Sequence, residues 1–206
     1  MLLEKKKKNL LIYDAVNSLL IKNKILAPKL YNESYKKNFI EIEDFGDHTI
    51  FNLLKKKGSN KINLYKKSID LLIKIQKIKQ NKIKNFKGNN YQIPIYNKAK
   101  LFAETKLFLD WYAKKYVSRN QKYKFNIEVK KQIRFLLSRL KLKNNIFVHR
   151  DFHVSNLMRF KKQLATIDTQ DAVIGNRAYD LASLIDDVRF KTNKKFKDDI
   201  YNYYLK

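Results

Sequence analysis

An α+β fold, mainly helical with one small β-hairpin, is predicted by three features of this 206-residue sequence. Proline and glycine number only two and four, so few breaks are available and long helices are implied. Apolar residues recur at spacings of three and four over much of the chain, as in helices with one buried face. In the last third, Leu157-Met158-Arg159-Phe160 and Leu164-Ala165-Thr166-Ile167 flank a basic turn, Lys161-Lys162-Gln163, and read as paired strands.

Taken in order, residues 10–26 have helical periodicity, and Pro28 ends the run. Residues 39–43 alternate apolar and polar, which predicts a strand. Asp47 is placed to cap a helix running through Leu54. Ser59 or Asn60 is placed to cap another, whose buried face carries Leu64, Ile69, Leu72, Ile73, Ile75 and Ile78. Residues 86–94, with Gly88-Asn89-Asn90, read as a loop. Residues 98–116 and 127–142 are two more amphipathic helices. Leu101, Phe108, Trp111 and Tyr112 are expected in the core, with substrate stacking as the other reading of Trp111. Residues 176–189 and 196–204 close the chain as helices.

The chemistry is concentrated between Ile146 and Gly175. Ile146-Phe147-Val148 is a short apolar run of strand type, followed by the polar octet His149-Arg150-Asp151-Phe152-His153-Val154-Ser155-Asn156. The hairpin after it returns the chain to its start, so Asp168 comes back beside Asn156 although twelve positions separate them. Phosphoryl transfer needs a carboxylate to orient the attacking hydroxyl and accept its proton, and oxygen ligands to hold Mg²⁺ against the phosphates. Asp151 fits the first need, and Asn156 with Asp168 the second. The octet matches the protein-kinase pattern H-R-D-L-x-x-x-N, with Phe152 where leucine is usual. A zinc site at His149, Asp151 and His153 is the competing reading, weakened by the absence of cysteine and by the distance to His48 in sequence. His149 is better read as an imidazole anchoring the loop. His153 stays open between loop packing and substrate contact.

The segment Ile167-Asp168-Thr169-Gln170-Asp171-Ala172-Val173-Ile174-Gly175, with Tyr179-Asp180-Leu181-Ala182-Ser183-Leu184 after it, differs from the protein-kinase continuation. It resembles the aminoglycoside phosphotransferase and choline kinase-like superfamily, and within it the bacterial branch of anomeric N-acetylmuramate/N-acetylglucosamine kinases. Ile42-Glu43-Asp44-Phe45-Gly46-Asp47 is similar to that branch's interlobe hinge, and Phe108-Leu109-Asp110-Trp111-Tyr112 to its helical substrate-binding region. The resemblance implies a protein kinase-like fold. Residues 1–45 would be a remnant of the nucleotide-grasping lobe, and residues 46–206 the helical lobe, with a catalytic loop at 149–156 and a metal-binding segment at 167–175. It implies ATP and Mg²⁺ as cofactors and a small hydroxyl-bearing substrate, expected to be an amino sugar. Asp151 would be the catalytic base, Asn156 and Asp168 the Mg²⁺ ligands, and backbone groups of Glu43, Asp44 and Phe45 the adenine contacts. Asp180 would brace the catalytic loop, or else be a charge favoured by a helix N-terminus. Glu104, Asp171 and His153 are candidates for gripping the substrate. Thr169 replaces the aromatic residue usual after the metal aspartate, a change expected to matter little.

The family's glycine-rich loop and strand lysine have no counterpart here: the first glycine is Gly46, and Lys5 to Lys8 read as a solvated charge block. A fragment, a second chain supplying the lobe, or a noncatalytic remnant with a binding role would each account for this. Low turnover from these residues alone is the expectation, since positioning and electrostatics supply nearly all of the catalysis in such reactions.

The formal charge of +27 raises nucleic-acid binding, but only seven of the 46 basic residues are arginines and the lysines are spread throughout. No specific nucleic-acid function is expected, only salt-sensitive adhesion to polyanions. No apolar stretch reaches the roughly 20 residues of a membrane span. The lack of cysteine fits a reducing compartment, so a cytosolic location is expected.

Overall fold

The computed structural model describes residues 2–141 and 143–206, with side chains from residue 9 onward. The lysine block at positions 5–8 therefore lies outside the described side chains, and Leu142 outside the described residues.

Helix α1 (Leu2–Lys22) runs into an antiparallel pair, β1 (Leu30–Ser34) and β2 (Phe39–Ile42), and a hinge-like segment follows. Then come α2 (Ile50–Lys55), α3 (Lys61–Gln76), the pair β3 (Lys82–Lys84) and β4 (Asn90–Gln92), and α4 (Lys98–Leu107). Phe108–Ala113 continues α4 as a π-helical stretch into the short α5 (Lys114–Tyr116), and α6 (Arg119–Arg139) doubles back on α4. The site region is β5 (Ile146–Val148), β6 (Leu157–Phe160), β7 (Gln163–Thr166) and β8 (Val173–Gly175). Here β6 pairs with β7 and β5 pairs with β8, both antiparallel. Helices α7 (Ala178–Ile185) and α8 (Lys194–Leu205) complete the described chain.

One large apolar cluster holds these elements together. Ala15, Val16, Leu19 and Leu20 of α1 meet Leu53 and Leu54 of α2, and Tyr65, Ile69, Leu72 and Ile75 of α3. Phe147, Phe152, Leu157, Leu181, Leu184 and Ile200 come from the site region and the last helices, so the site is built directly on the core. Each such side chain, fully buried, contributes about 1.5–3 kcal/mol over its exposed state. On α3, Ile69, Leu72 and Ile75 are buried as predicted, with Ile78 just beyond it, but Tyr65 and Leu71 join them while Leu64 and Ile73 are only partly buried. Asn60 is the cap, its Oδ1 accepting the Asn63 N–H at 3.0 Å.

Several local expectations need correction. Helix α1 ends at Lys22, because Lys24 takes a left-handed φ of 59° and Leu26 then runs extended beside Ala165. Thr49, not Asp47, caps α2, its hydroxyl accepting the Asn52 N–H at 3.0 Å. Strand β4 lies inside the stretch expected to be loop, because Asn85 Oδ1 and the left-handed Gly88 turn the chain back on β3. Helix α6 starts eight residues earlier than periodicity suggested. The aromatic residues placed in the core are not there: Trp111 is 78 % exposed, Phe108 and Tyr112 are exposed, and Leu101 is half-buried. In the π-helical stretch Leu109 and Ala113 are the residues that turn inward, and Phe108 stacks on Tyr112 at the surface.

Candidate active site

The β5–β8 pair and the β6–β7 hairpin frame the catalytic-type loop from both sides. Ile146, Phe147 and Val148 are all buried, so the loop leaves a fixed strand. The main chain then turns sharply, with Arg150 at φ 77°, a region that costs a non-glycine residue energy and persists only when its surroundings hold it. The holding group is Asp180, fully buried on α7. One carboxylate oxygen accepts the His149 N–H at 2.7 Å and the other the Arg150 N–H at 3.0 Å. Burial pushes the Asp180 carboxyl up to about 7, against these two donors, which favour its charged form.

His149 is also fully buried. Its Nε2 lies 2.7 Å from the Thr166 hydroxyl of β7, and its ring meets Phe152 edge-on at 6.0 Å. Burial lowers its pKa to about 4, so the imidazole is neutral. The Thr166 contact commits Nε2 to the hairpin, and no group of metal-ligating side chains surrounds His149 among the described residues. Phe152, at the position where leucine is usual, is wholly enclosed in the core.

Asp151 is half-buried, and its carboxyl is raised above the usual range first by burial and then by the negative charge of Asp168. The two carboxylates thus share one electrostatic environment. Asn156 joins the two segments: its Nδ2 donates to the Asp151 main-chain carbonyl at 3.1 Å and lies 3.5 Å from Asp168 Oδ2. The Ile167 N–H donates to the Asn156 carbonyl at 3.0 Å, closing the mouth of the hairpin and setting Asp168 beside Asn156. Asp168 is exposed, at φ 62°, and its other oxygen accepts from Gln170 Nε2 at 2.7 Å. Among the described residues no three His, Cys, Asp or Glu side chains converge. Asp168 offers a hard oxygen at the surface, while Asn156 faces it through Nδ2, so its Oδ1 would reach an ion such as Mg²⁺ only with the amide turned over.

His153 is buried by the loop, with Nε2 3.3 Å from Asn156 Nδ2, and burial lowers its pKa. Glu104 of α4 reaches the same region, but it is engaged: one oxygen pairs with Arg150 at 2.7 Å and the other accepts the Tyr96 hydroxyl. Asp171 is exposed, 3.6 Å from the second terminal nitrogen of Arg150. Arg150, beside Asp151 in the loop, therefore pairs with both Glu104 and Asp171, a role that sequence reasoning missed.

In the hinge, the Glu43 N–H donates to the Lys29 carbonyl at 2.8 Å, and Asp44 Oδ1 accepts from Gly46. Phe45 is buried against Phe160, Met158 and Ala165, so its ring is a floor under the hinge. The Glu43 carbonyl and the Phe45 N–H have no partner among the described residues.

A second missed contact reaches from α1. The buried Thr169 hydroxyl donates to Asn17 Oδ1 at 2.6 Å, and Asn17 Nδ2 donates to the Pro28 carbonyl at 3.2 Å. The residue after Asp168 is thus a polar tie, which corrects the expectation that its identity matters little.

Comparison with known proteins gives the family and the fold. Residues 22–205 match the profile described as "Phosphotransferase enzyme family". The N-acetylmuramate/N-acetylglucosamine kinase of Neisseria meningitidis serogroup B is 26 % identical over 176 residues, covering 84 % of this chain and 50 % of that protein. The enzyme of the same name from Pseudomonas aeruginosa is 28 % identical over 162 residues, covering 78 % and 44 %. The chain thus spans about half the length of these curated relatives. In fold it is similar to the streptomycin–ATP ternary complex of APH(2")-IIa, with a TM-score of 0.64 at 17 % identity, covering 97 % of this chain and 67 % of that one. Choline kinase LicA from Streptococcus pneumoniae gives 0.58 at 13 % identity, covering 91 % and 59 %. No described helix is long and apolar enough to cross a membrane. On these grounds the chain belongs to the phosphotransferase enzyme family, has its protein kinase-like α+β fold, and is distantly related to the amino-sugar kinases.

Proposed function

We propose that this chain carries the catalytic half of an ATP- and Mg²⁺-dependent kinase for a small hydroxyl-bearing substrate, an amino sugar of the N-acetylhexosamine type. The observation that carries the reading is the meeting of Asp151, Asn156 and Asp168 at one hairpin mouth. Asp151, its basicity raised by burial, orients the acceptor hydroxyl and takes its proton as that oxygen bonds to phosphorus. Asn156 and Asp168 would hold Mg²⁺ through oxygen, and the bound Mg–nucleotide would supply the phosphoryl group and neutralise its charge. The unpartnered Glu43 carbonyl and Phe45 N–H are the hinge groups that would meet adenine, while Asp44 shapes the turn through Gly46. Asp171, exposed next to Asp151, would accept a substrate hydroxyl. Glu104 would do so only by releasing Arg150, and His153 acts through Asn156. The amino-sugar assignment is supported by the distant relationship to the N-acetylmuramate/N-acetylglucosamine kinases.

Two measurements test the proposal. Calorimetry with ADP should show binding that requires Mg²⁺ and is lost in Asp168→Asn. A single-turnover assay of residues 1–206 with labelled ATP and N-acetylglucosamine should show slow transfer, since the 45 residues before Gly46 in this sequence hold no glycine to close over the phosphates, and Asp151→Asn should reduce it at least about 100-fold. Nucleotide binding indifferent to both Mg²⁺ and Asp168 would overturn the assignment.

A further inference from the structure

Away from the active site, the turn end of the β6–β7 hairpin forms one wall of a cleft of about 760 Å³, within the range of small-molecule sites. Asn156 and Asp168 sit at the opposite end of that hairpin, about 13 Å of extended chain away. The cleft's other walls are the end of α1, the α2–α3 connection and one face of α3.

Seven of the residues that line it are cationic and one is a carboxylate. Lys24 follows α1, Lys56 and Lys57 follow α2, and Lys67 and Lys74 stand two turns apart on α3. The hairpin adds Lys162 and Arg159, one of only seven arginines in the chain. These cations come from four separate segments, yet they converge on a single concavity with one carboxylate, Asp70, which already accepts the Tyr203 hydroxyl at 2.9 Å. Among the described residues none of these seven cations makes an ion pair, although Arg150, Arg189, Lys106 and Lys197 elsewhere do. Ser59 and Asn60 also bring the positive end of the α3 dipole to the cleft floor. Like charges brought into one concavity repel one another, and a multivalent anion relieves that cost by displacing their counterions.

We propose that this cleft is a binding site for a small ligand carrying several linked phosphates, distinct from the nucleotide site. Its cations are spread along the walls, which suits a chain of phosphates better than one isolated phosphate. A long nucleic acid is less well served, because the basic side chains line a bounded pocket and do not form a stripe.

The test is calorimetry of the full chain with inorganic tripolyphosphate, without Mg²⁺, at about 150 mM salt, where exposed charges farther apart than about 8 Å are screened. Saturable one-to-one binding is expected. It should weaken at least about tenfold in Lys56→Ala/Lys67→Ala/Arg159→Ala, and in the same direction in Lys67→Glu alone. Lys100→Ala/Lys194→Ala/Lys195→Ala removes the same charge from exposed positions outside the cleft and should leave affinity within about twofold. Equal losses in the two triple variants would reduce the effect to net charge and overturn the proposal, as would the absence of saturable binding. A single-stranded oligonucleotide that binds through the cleft while tripolyphosphate does not would overturn it in favour of nucleic acid. No outcome depends on Asp151, Asn156 or Asp168, so the result is independent of the kinase assignment.

Discussion

Thr169 and Asn17, 152 positions apart in sequence, form a buried hydrogen bond of 2.6 Å that ties α1 to the residue next to Asp168. Thr169→Val keeps the shape and removes the donor, leaving a buried amide oxygen unsatisfied. The expected cost is about 1–3 kcal/mol in urea unfolding. If α1 helps fix the metal segment, Mg²⁺-dependent ADP affinity should fall beyond what lost stability explains. Unchanged stability would show that water replaces the hydroxyl without cost.

His149 and Asp180 should give opposing pH dependences. The folded pKa of His149, about 4, is below its unfolded value, so its contribution is present above pH ~6.5 and lost as pH falls toward 4. The folded pKa of Asp180, about 7, is above its unfolded value, so its contribution is present below pH ~4 and lost as pH rises toward 7. Each amounts to roughly 3–4 kcal/mol, so between pH 4 and 6.5 the two nearly cancel. Asp180→Asn should unmask the histidine and give a variant that loses stability on acidification more steeply than the parent. A parallel pair of stability–pH curves would refute this.

Arg150 and Glu104 link the catalytic-type loop to α4 through a partly buried ion pair at 2.7 Å. A double-mutant cycle with Glu104→Gln and Arg150→Gln should give a coupling of about 1–2 kcal/mol, above the usual value for exposed pairs. Amide exchange in α4 should quicken in either single variant. A coupling near zero would mean that α4 is positioned by its packing on α6 alone.

Phe152 fills a core site where similar loops carry leucine. Phe152→Ala should cost about 3–5 kcal/mol, while Phe152→Leu keeps most of the volume and should cost less than about 2 kcal/mol. Equal losses would indicate that the edge-on contact with His149, and not volume, determines the residue there.

The parts legible in advance were local in origin. The octet ending at Asn156, the short hairpin and the aspartate after it follow from strand-length apolar runs and turn residues, so their proximity could be argued without coordinates. The α3 face was legible in part, because spacing alone assigns Ile69, Leu72 and Ile75 to its buried side. The aromatic residues of the π-helical stretch were not. Periodicity shows that a helix has an apolar face but not whether another element covers it, and Trp111 stands in the open.

By itself, then, the sequence determined the order of the candidate groups and the turns that return Asp168 to Asn156, since both depend on contacts within about a dozen residues. Tertiary structure alone decided that Asp180 lies under the loop, that Thr169 answers Asn17, and that Arg150 collects Glu104 and Asp171. These pairs are brought together by packing of the common core. Side chains 21 to 152 positions apart carry no mutual signal in one chain until burial forces each polar group to find a partner.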